Sequence, residues 1–312
     1  MDKDLLDMTI CRIPGLKAEE RVNLIKKFDR EEDFQALSKK DIENIIERVL
    51  RGSTWTIPQI RALAEKDAKA ALKQGIQWVS WREKAYPPLL REIFDPPALL
   101  FYRGALPNPE KPLAAVVGTR KPTSQARARA FELGRALGEA GIPVVSGLAL
   151  GIDSMAHRGN IEASSPTAAV LGSGPDMIYP VSNRDLARRI LNTRGVILSE
   201  YPPGTGPMRW HFPARNRIIS GLARGTVVVE APEKSGALIT ARFARDQDRD
   251  LWMDAVGVNS KNGGGMAVFV EDGAKLLSSA RDILVEWNIS DKTQNDKAGL
   301  ASSLAEYLDI KL

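Results

Sequence analysis

Hydrophobic residues in the first quarter of this chain recur at intervals of three and four, with polar breaks between the groups. That period is typical of short amphipathic helices, which we predict at residues 19–28, 40–50 and 58–73. The turn at residues 13–16 resembles that of a helix-hairpin-helix, which presents backbone N–H groups to phosphate. Lys17 stands where that motif usually has a second glycine, so an ordinary helical-hairpin turn is the alternative.

From residue 113 the pattern changes to short, nearly continuous apolar runs, separated by helical patterns such as residues 124–140 and 236–247. Such runs are typical of parallel strands in a sheet that helices cover on both faces. The strands that we predict are residues 113–117, 142–146, 167–171, 195–199, 226–230 and 251–256. The sequence therefore predicts an α/β fold with a doubly wound, mostly parallel sheet.

Between these two patterns lies a stretch that is rich in proline and aromatic residues. Its paired prolines bar a continuous helix, so we expect a connector with short strands that packs on the main domain. The end of the chain opens with a polar stretch and closes with one helical pattern, 300–308, which is too short for a further domain. The predicted parts are a helical domain, the connector, the α/β domain and a tail, at residues 1–75, 76–111, 112–287 and 288–312.

Composition narrows the class of protein. A length of 312 residues suggests two domains, since a domain has about 150 residues, and 43% hydrophobic with 27% charged residues is usual for a globular protein. One cysteine, Cys11, excludes an internal disulfide, and with only two histidines we expect no metal centre. No apolar run approaches the roughly 18 residues of a membrane span, and the start is not a signal peptide. We therefore expect a cytoplasmic protein without membrane insertion.

Positive charge is concentrated in the middle of the chain. The formal net charge is only +5. Residues 111–135 hold six basic side chains against Glu132 alone, and residues 209–224 hold four arginines and no acid. Clusters of this kind favour an anionic partner.

Glycine-rich turns follow the predicted strands, at the edge where doubly wound sheets bind their ligands. The turns lead into helices whose N-terminal N–H groups and positive dipole ends suit phosphate oxygens. The candidate phosphate ligands in these turns are Gly118, Thr119, Arg120, Gly147, Gly151, Gly172, Gly174, Ser235 and Gly236. For Gly147 and Gly151, close packing of backbone on a helix, with Asp153 as its N-cap, is the alternative.

Arginines supply the strongest phosphate candidates. Arg120 comes directly after the first predicted strand of the α/β domain, where a bidentate phosphate contact is natural; a surface arginine is the alternative. Arg215 and Arg217 flank Asn216 in a helical pattern, and we predict that this segment lines the crevice at the strand ends. A solvated or structural ion pair is the alternative for each arginine.

Signatures of nucleotide-dependent enzymes are absent: the chain has no P-loop, no Gly-x-Gly-x-x-Gly after residue 117 and no Gly-x-Ser-x-Gly elbow. Glu200 and Glu230, each at the end of a predicted strand, are the carboxylates best placed to act on a sugar. We favour the alternative that they accept hydrogen bonds from loop amides. His157 is expected to be a packed helix residue and not a catalytic base.

Six motifs occur in order along the α/β region. They are Gly118-Thr119-Arg120, Ser146-Gly147-Leu148-Ala149-x-Gly151-Ile152-Asp153, Leu171-Gly172-x-Gly174 with Tyr179-Pro180-x-x-Asn183, Ser199-Glu200-Tyr201-Pro202, Phe212-Pro213-x-Arg215-Asn216-Arg217, and Glu230-Ala231-x-x-x-Ser235-Gly236. Together they resemble the DprA/Smf family of DNA-processing proteins, over residues 112 to about 275.

The resemblance implies a protein that is not an enzyme, binds single-stranded DNA without sequence preference and helps to load the recombinase RecA in natural transformation. It also implies an extended Rossmann-like domain, a SAM-like helical domain at residues 1–75 and a homodimer, with no cofactor. Ser146 and Asn183 join the candidate DNA-binding residues on this ground. Several family members end in a winged helix, which we do not expect in a chain of this length.

Aromatic residues in or beside the same loops offer a way to bind bases of any kind by stacking. They are Tyr179, Tyr201, Trp210 and Phe212. Burial at the sheet edge is the alternative for each, and we expect it for Tyr179. The competing hypotheses of function are a nucleotide-binding enzyme with N-glycosidic hydrolase or transferase activity, resting on Glu200 and Glu230, and a scaffold for protein interaction alone, which would leave the glycine loops unexplained.

Overall fold

The computed structural model describes residues 2–52 and 54–290. Its first part is helical. The helices are α1 (Asp2–Arg12), α2 (Ala18–Lys27), α3 (Glu31–Gln35), α4 (Lys39–Ile45) and α5 (Ile57–Lys73). The three predicted helices are confirmed as α2, α4 and α5, although α4 ends five residues before the predicted end at residue 50. Helices α1 and α3 were not predicted. In α1 and the turn after it, Leu6, Ile10 and Ile13 are fully buried in the core of this part.

In the described residues, nine strands form one sheet, in the order β1-β2-β6-β5-β4-β3-β7-β8-β9. The strands are β1 (Gln77–Ser80), β2 (Leu99–Gly104), β3 (Ala114–Val117), β4 (Val144–Ser146), β5 (Ala168–Val170), β6 (Val196–Ser199), β7 (Gly225–Val228), β8 (Asp250–Asp254) and β9 (Lys275–Leu277). Strands β3 to β9 are mutually parallel, while β1 and β2 run antiparallel at one edge. The six predicted strands are confirmed as β3 to β8, and so is the doubly wound sheet.

Helices cover both faces of this sheet. They are α6 (Pro88–Arg91), α7 (Ser124–Glu139), α8 (Ile152–Glu162), α9 (Arg184–Asn192), α10 (His211–Leu222), α11 (Ala237–Asp246), α12 (Ala255–Val258), α13 (Ala267–Glu271) and α14 (Ala280–Glu286). Alternate strand residues point to opposite faces. Ala115 and Val117 of β3 therefore pack in the core with α10 and α11, whereas Ala114 and Val116 pack in the core with α7, α8 and α14.

The connector predicted at residues 76–111 contributes β1 and β2 to the sheet, because β2 pairs with β6 and places Phe101 opposite Ser199. Arg82, just after β1, joins this edge to the helical part. Its guanidinium donates to both carboxylate oxygens of Asp7, at 2.9 and 2.7 Å, and to the carbonyl oxygens of Ile25 and Phe28. The helical part is thus attached to the antiparallel edge of the sheet.

The strand order places a topological switch point at the centre of the sheet. From β3 the chain winds outward through β4, β5 and β6, and it then returns to the other side of β3 with β7, β8 and β9. The loops that leave β3 and β7 therefore diverge, which opens a crevice at the carboxyl ends of the strands. The predicted tail helix, 300–308, lies outside the described residues. Over the residues described, no helix is both long and apolar enough to cross a membrane.

Candidate nucleic-acid interface

A crevice of about 800 Å³ lies at the switch point, between the loops after β3 and β7. Helices α10 and α11 form its other sides. Seven of the predicted ligands line it: Gly118, Thr119, Arg120, Arg215, Asn216, Ser235 and Gly236. The N-terminal turn of α11 also faces the crevice, with the Ser235 hydroxyl accepting from the Ala237 N–H at 3.3 Å. A helix end of this kind favours negative charge.

Glu230, just after β7, holds the two sides of the switch point together. The carboxylate is fully buried and accepts from the Thr123 N–H at 2.8 Å and from the Thr123 hydroxyl at 2.9 Å, while the Glu230 carbonyl accepts from the Thr119 N–H at 2.8 Å. Gly118 must be glycine, since a Cβ there would lie 2.5 Å from a side-chain atom of Ile152. The interpretation that Glu230 accepts from loop amides is confirmed.

Arg215 forms the inner wall of the crevice, and its Nε and Nη1 groups donate within the protein. The guanidinium donates to Gly147 O at 2.8 Å, to Val170 O and to Asn216 Oδ1 at 3.0 Å. Asn216 in turn donates to Gly236 O at 3.1 Å. Burial lowers the pKa of Arg215 to about 10, so the side chain is still a cation at neutral pH. Arg215 and Asn216 thus tie together the loop after β4, the end of β5 and the loop after β7.

Arg217 does not line the crevice, because its side chain points to the opposite side of α10. It donates to both carboxylate oxygens of Glu200, at 2.9 and 2.7 Å, and forms a second ion pair with Asp95 at 2.9 Å. Burial opposes both charges, but their mutual attraction wins: the pKa of Glu200 is lowered and that of Arg217 is raised. The alternative considered for this arginine, a structural ion pair, is confirmed. The expectation that Glu200 accepts from loop amides was wrong, since its carboxylate accepts from Arg217.

The remaining predicted residues shape the loops. Ser146 donates to Val116 O at 2.7 Å, and Asn183 donates to Leu148 O at 2.8 Å and to Ser154 Oγ at 2.9 Å. Glycine is required at several of these turns. A Cβ on Gly147 would lie 2.4 Å from the Arg215 guanidinium, and one on Gly151, whose φ is +79°, would lie 2.4 Å from Thr119 O.

Two further loop glycines are buried beside the loop that leads into α10. The Gly174 N–H donates to Thr205 O at 2.8 Å, and Gly172 O lies 3.0 Å from a ring nitrogen of His211. These backbone groups bond within the protein. Their function in this structure is therefore to fix the path of the loops.

His157, on α8, is fully buried and stays neutral. The Thr167 hydroxyl donates to Val144 O at 2.6 Å, so it accepts from His157 Nδ1–H at 2.8 Å. Within the described residues, Nε2 has no hydrogen-bond partner. Burial, and then the charge of Arg215, lower the pKa of His157 to about 3. The expectation of a packed histidine is confirmed.

Four exposed cations stand at the mouth of the crevice, and we call them the rim cations: Arg120, Lys121, Arg209 and Lys234. None of them forms an ion pair with any residue that the structure describes. The one carboxylate among the described lining residues, Asp153, accepts from Gly147 N–H at 3.1 Å beneath the surface. Sequence reasoning did not select Lys121, Arg209 or Lys234, although each lies next to a selected loop or in a basic segment.

Aromatic side chains lie beside the rim cations. The Arg120 guanidinium lies 5.6 Å from the Phe212 ring centre, and the Tyr179 ring lies 5.6 Å from the same ring. Tyr201 stacks on His211 at 3.8 Å. Tyr179 is 46% exposed, so the expectation that it is buried was wrong, and Trp210 is 67% exposed. Rings open to solvent next to unpaired cations suit stacking on bases.

The arrangement matches a known group of proteins. The sequence profile of the family described as DNA recombination-mediator protein A matches residues 77–288. DNA processing protein DprA of Bacillus subtilis is 35% identical over 289 residues, which are 92% of this chain and 96% of that protein.

Two solved structures have the same fold over most of their length. DprA of Streptococcus pneumoniae aligns with a TM-score of 0.75 and 33% identity, over 92% of this chain and 98% of that one. DprA of Helicobacter pylori, whose structure is described as giving insights into a unique single-stranded DNA binding mode, aligns with a TM-score of 0.60 and 28% identity, over 68% of this chain and 95% of that one. On the profile match and the identity to the Bacillus protein, this chain belongs to the DprA/Smf family, that of DNA recombination-mediator protein A.

Proposed function

We propose that this chain binds single-stranded DNA across the crevice, without regard to base sequence. The observation that carries the proposal is that the four rim cations, which have no ion pair among the described residues, line a crevice of about 800 Å³. Unpaired cations at the surface attract a polyanion, and phosphate contacts carry no base information. The relative from Helicobacter pylori, described by its single-stranded DNA binding mode, supports the same conclusion.

Within this proposal the predicted residues divide into two roles. Arg120 and the other rim cations hold phosphates, together with the N-terminal turn of α11 at Ser235 and Gly236 and the small residues Gly118 and Thr119, which let a strand approach. Scaffold residues hold the loops in place: Ser146, Gly147, Gly151, Gly172, Gly174, Asn183, Arg215, Asn216 and Arg217. Trp210, Tyr179 and Phe212 offer their rings to bases.

The finer function that we propose is to load RecA onto the bound strand, as a homodimer in the cytoplasm and without chemistry of its own. The support is membership of a family whose description is that of a recombination mediator. The rate at which RecA accumulates on immobilised oligo-dT measures loading. The rate should rise when this chain is added, and an unchanged rate would remove RecA loading from the proposal.

The nucleotide-enzyme hypothesis rests on two carboxylates, those of Glu200 and Glu230, and both are held by partners within the protein. Glu230 accepts two hydrogen bonds from Thr123, and Glu200 is paired with Arg217. Neither carboxylate lines the crevice. Incubation with a panel of nucleoside monophosphates should release no free base, and release from any of them would revive the hypothesis.

Fluorescence anisotropy tests DNA binding directly. Labelled oligo-dT of about 30 nucleotides is titrated with the protein at several salt concentrations, and oligo-dC and a duplex of equal length serve as competitors. We expect salt-sensitive binding that oligo-dC displaces and the duplex does not. Displacement by the duplex, or binding that salt does not weaken, would contradict the proposal.

A further inference from the structure

A second basic recess adjoins the crevice. This groove, of about 380 Å³, shares Arg120 and Lys121 with the crevice and adds Arg127 of α7 and Arg158 of α8. Within the described part of the chain, none of these four cations has an ion pair, and no carboxylate lines the groove. Its net lining charge is therefore +4, from two arginines of its own and two shared side chains.

The close packing of α7 on α8 creates the groove. A Cβ on Gly159 would lie 1.9 Å from Phe131 O, and one on Gly134 would lie 2.3 Å from Ala156 O, so only glycine allows the two helices to approach this closely. Both helices connect parallel strands on the same face of the sheet, so they run in the same direction. Their N-terminal turns therefore lie side by side, and their positive dipole ends add to each other.

Helix geometry brings the two arginines to this end. Side chains on a helix lean toward its N-terminus. Arg127 lies in the first turn of α7, and Arg158, two turns into α8, leans back toward the same opening. The neutral polar groups of the groove are already bonded to each other, since Asn183 donates to Ser154 at 2.9 Å and Ser154 donates to Ala149 O. The cations alone are left to hold a ligand.

The ligand chemistry that fits is a phosphodiester backbone. The groove is lined by unpaired cations, and beside them lie Leu150, which is 46% exposed, and Met155, whose apolar atoms suit a sugar or base face. A strand that leaves the crevice past Arg120 and Lys121 reaches the groove directly, because both recesses share these side chains. A free phosphate would occupy only one of the two recesses, so the continuity of the recesses favours a polymer.

We propose that the groove between the N-terminal turns of α7 and α8 is a second phosphate subsite, which binds the continuation of the same single strand that occupies the crevice. This inference rests on the proposed function. It assigns DNA contacts to Arg127 and Arg158, and it predicts that the full site is longer than the crevice alone.

The test compares two oligonucleotide lengths. The double variant Arg127→Gln/Arg158→Gln should bind oligo-dT of about 30 nucleotides roughly tenfold more weakly, and the slope of log affinity against log salt should fall by about 1.4 for two lost contacts. Oligo-dT of about four nucleotides, which fills only the crevice, should bind equally to the variant and the wild type. The charge-preserving variant Arg127→Lys/Arg158→Lys should restore most of the lost affinity.

Controls separate the possible failures. Arg194→Gln removes an exposed arginine just before β6, at the end of the strands that is opposite the crevice. This variant should bind both oligonucleotide lengths as the wild type does. If the double variant behaves like Arg194→Gln while Arg120→Ala weakens binding, the groove is not a subsite and the crevice proposal stands. If Arg120→Ala also has no effect, the proposed function itself fails. An equal loss for both lengths would mean that the two arginines act only through long-range charge, which also overturns the subsite.

Discussion

Two sets of arginines lie in or beside the six motifs, at the carboxyl end of the sheet, yet their environments are opposite. Arg215, in the wall of the crevice, and Arg217, behind it on the opposite side of α10, are together called the wall arginines. Each is 5% exposed, and they donate to carbonyl oxygens, to Asn216 and to the carboxylates of Glu200 and Asp95. Among the rim cations, Arg120 and Arg209 are exposed and unpaired within the described residues. The contrast teaches that burial and partners, and not residue type or motif, decide which arginine can hold a ligand.

The cost of desolvation explains why the buried arginines and the exposed cations have such different partners. A buried charge is costly unless partners compensate it, and the wall arginines are accordingly held by partners within the protein. A surface cation keeps its hydration and exchanges it for phosphate contacts when DNA arrives. We therefore expect the wall arginines to determine stability and the rim cations to determine affinity for DNA, and separate substitutions test each expectation.

The largest effect is expected on stability, when the wall arginine Arg217 is replaced. Arg217→Ala leaves Glu200 buried without its partner and should lower the free energy of unfolding by about 3–5 kcal/mol, measured by urea denaturation. Arg245→Ala is the matched control, because its pair with Asp272 is half exposed, and should cost about 0–1 kcal/mol. Equal losses for the two variants would erase the distinction between buried and exposed arginines.

A second effect reports the burial of His157, to which the charge of Arg215 adds. The pKa of His157 is about 3 in the folded protein, against about 6.5 in the unfolded chain, so the unfolded state binds a proton first as the pH falls. This residue's contribution to stability is complete above pH 6.5 and is lost progressively toward pH 3.

Denaturation at two pH values measures that contribution. Between pH 6.5 and pH 5 the folded protein should lose about 2 kcal/mol through His157 alone, and the loss should be absent in His157→Gln. If the variant has the same pH dependence as the wild type, His157 is not held neutral by burial and by the neighbouring wall arginine.

A smaller effect, on affinity alone, is expected at the exposed rings. Trp210→Ala should weaken oligo-dT binding by about fivefold to tenfold through the loss of one stacked base, with little change in unfolding free energy. Leu72→Ala in α5 removes a side chain of similar exposure, 70% against 67%, from the helical part and should leave binding unchanged. A stability loss in Trp210→Ala without a change in affinity would make this ring structural.

The sequence predicted the sheet well because its strands are buried on both faces. Runs such as the one at β3 (Ala114–Val117) are apolar throughout, and only a covered parallel strand requires that. The sequence also predicted the crevice, because the glycine turns that follow parallel strands all lie at the carboxyl end of the sheet. Strand β9 (Lys275–Leu277) was missed because its first two residues are exposed, so this strand at the side of the sheet lacks a continuous apolar run.

Local sequence patterns did not predict the contacts between residues that are distant along the chain. The donors of Arg215 are met by the backbone after β4 and at β5, at Gly147 and Val170, and nothing near residue 215 in the sequence indicates this. A structural ion pair was the alternative for Arg217, without a named partner, and it was not preferred because helical spacing does not tell which side of α10 faces the crevice. Likewise, the pairing of β2 with β6 depends on long-range contacts.

The salt dependence of oligo-dT binding by Arg120→Ala tests the central claim, that the rim cations hold the strand. The slope of log affinity against log salt should be smaller than that of the wild type by about 0.7, the value for one lost phosphate contact on a single strand, with equal loss for oligo-dT and oligo-dC. The free energy of unfolding should stay within about 0.5 kcal/mol of the wild type. An unchanged slope and affinity in the folded variant would contradict the account.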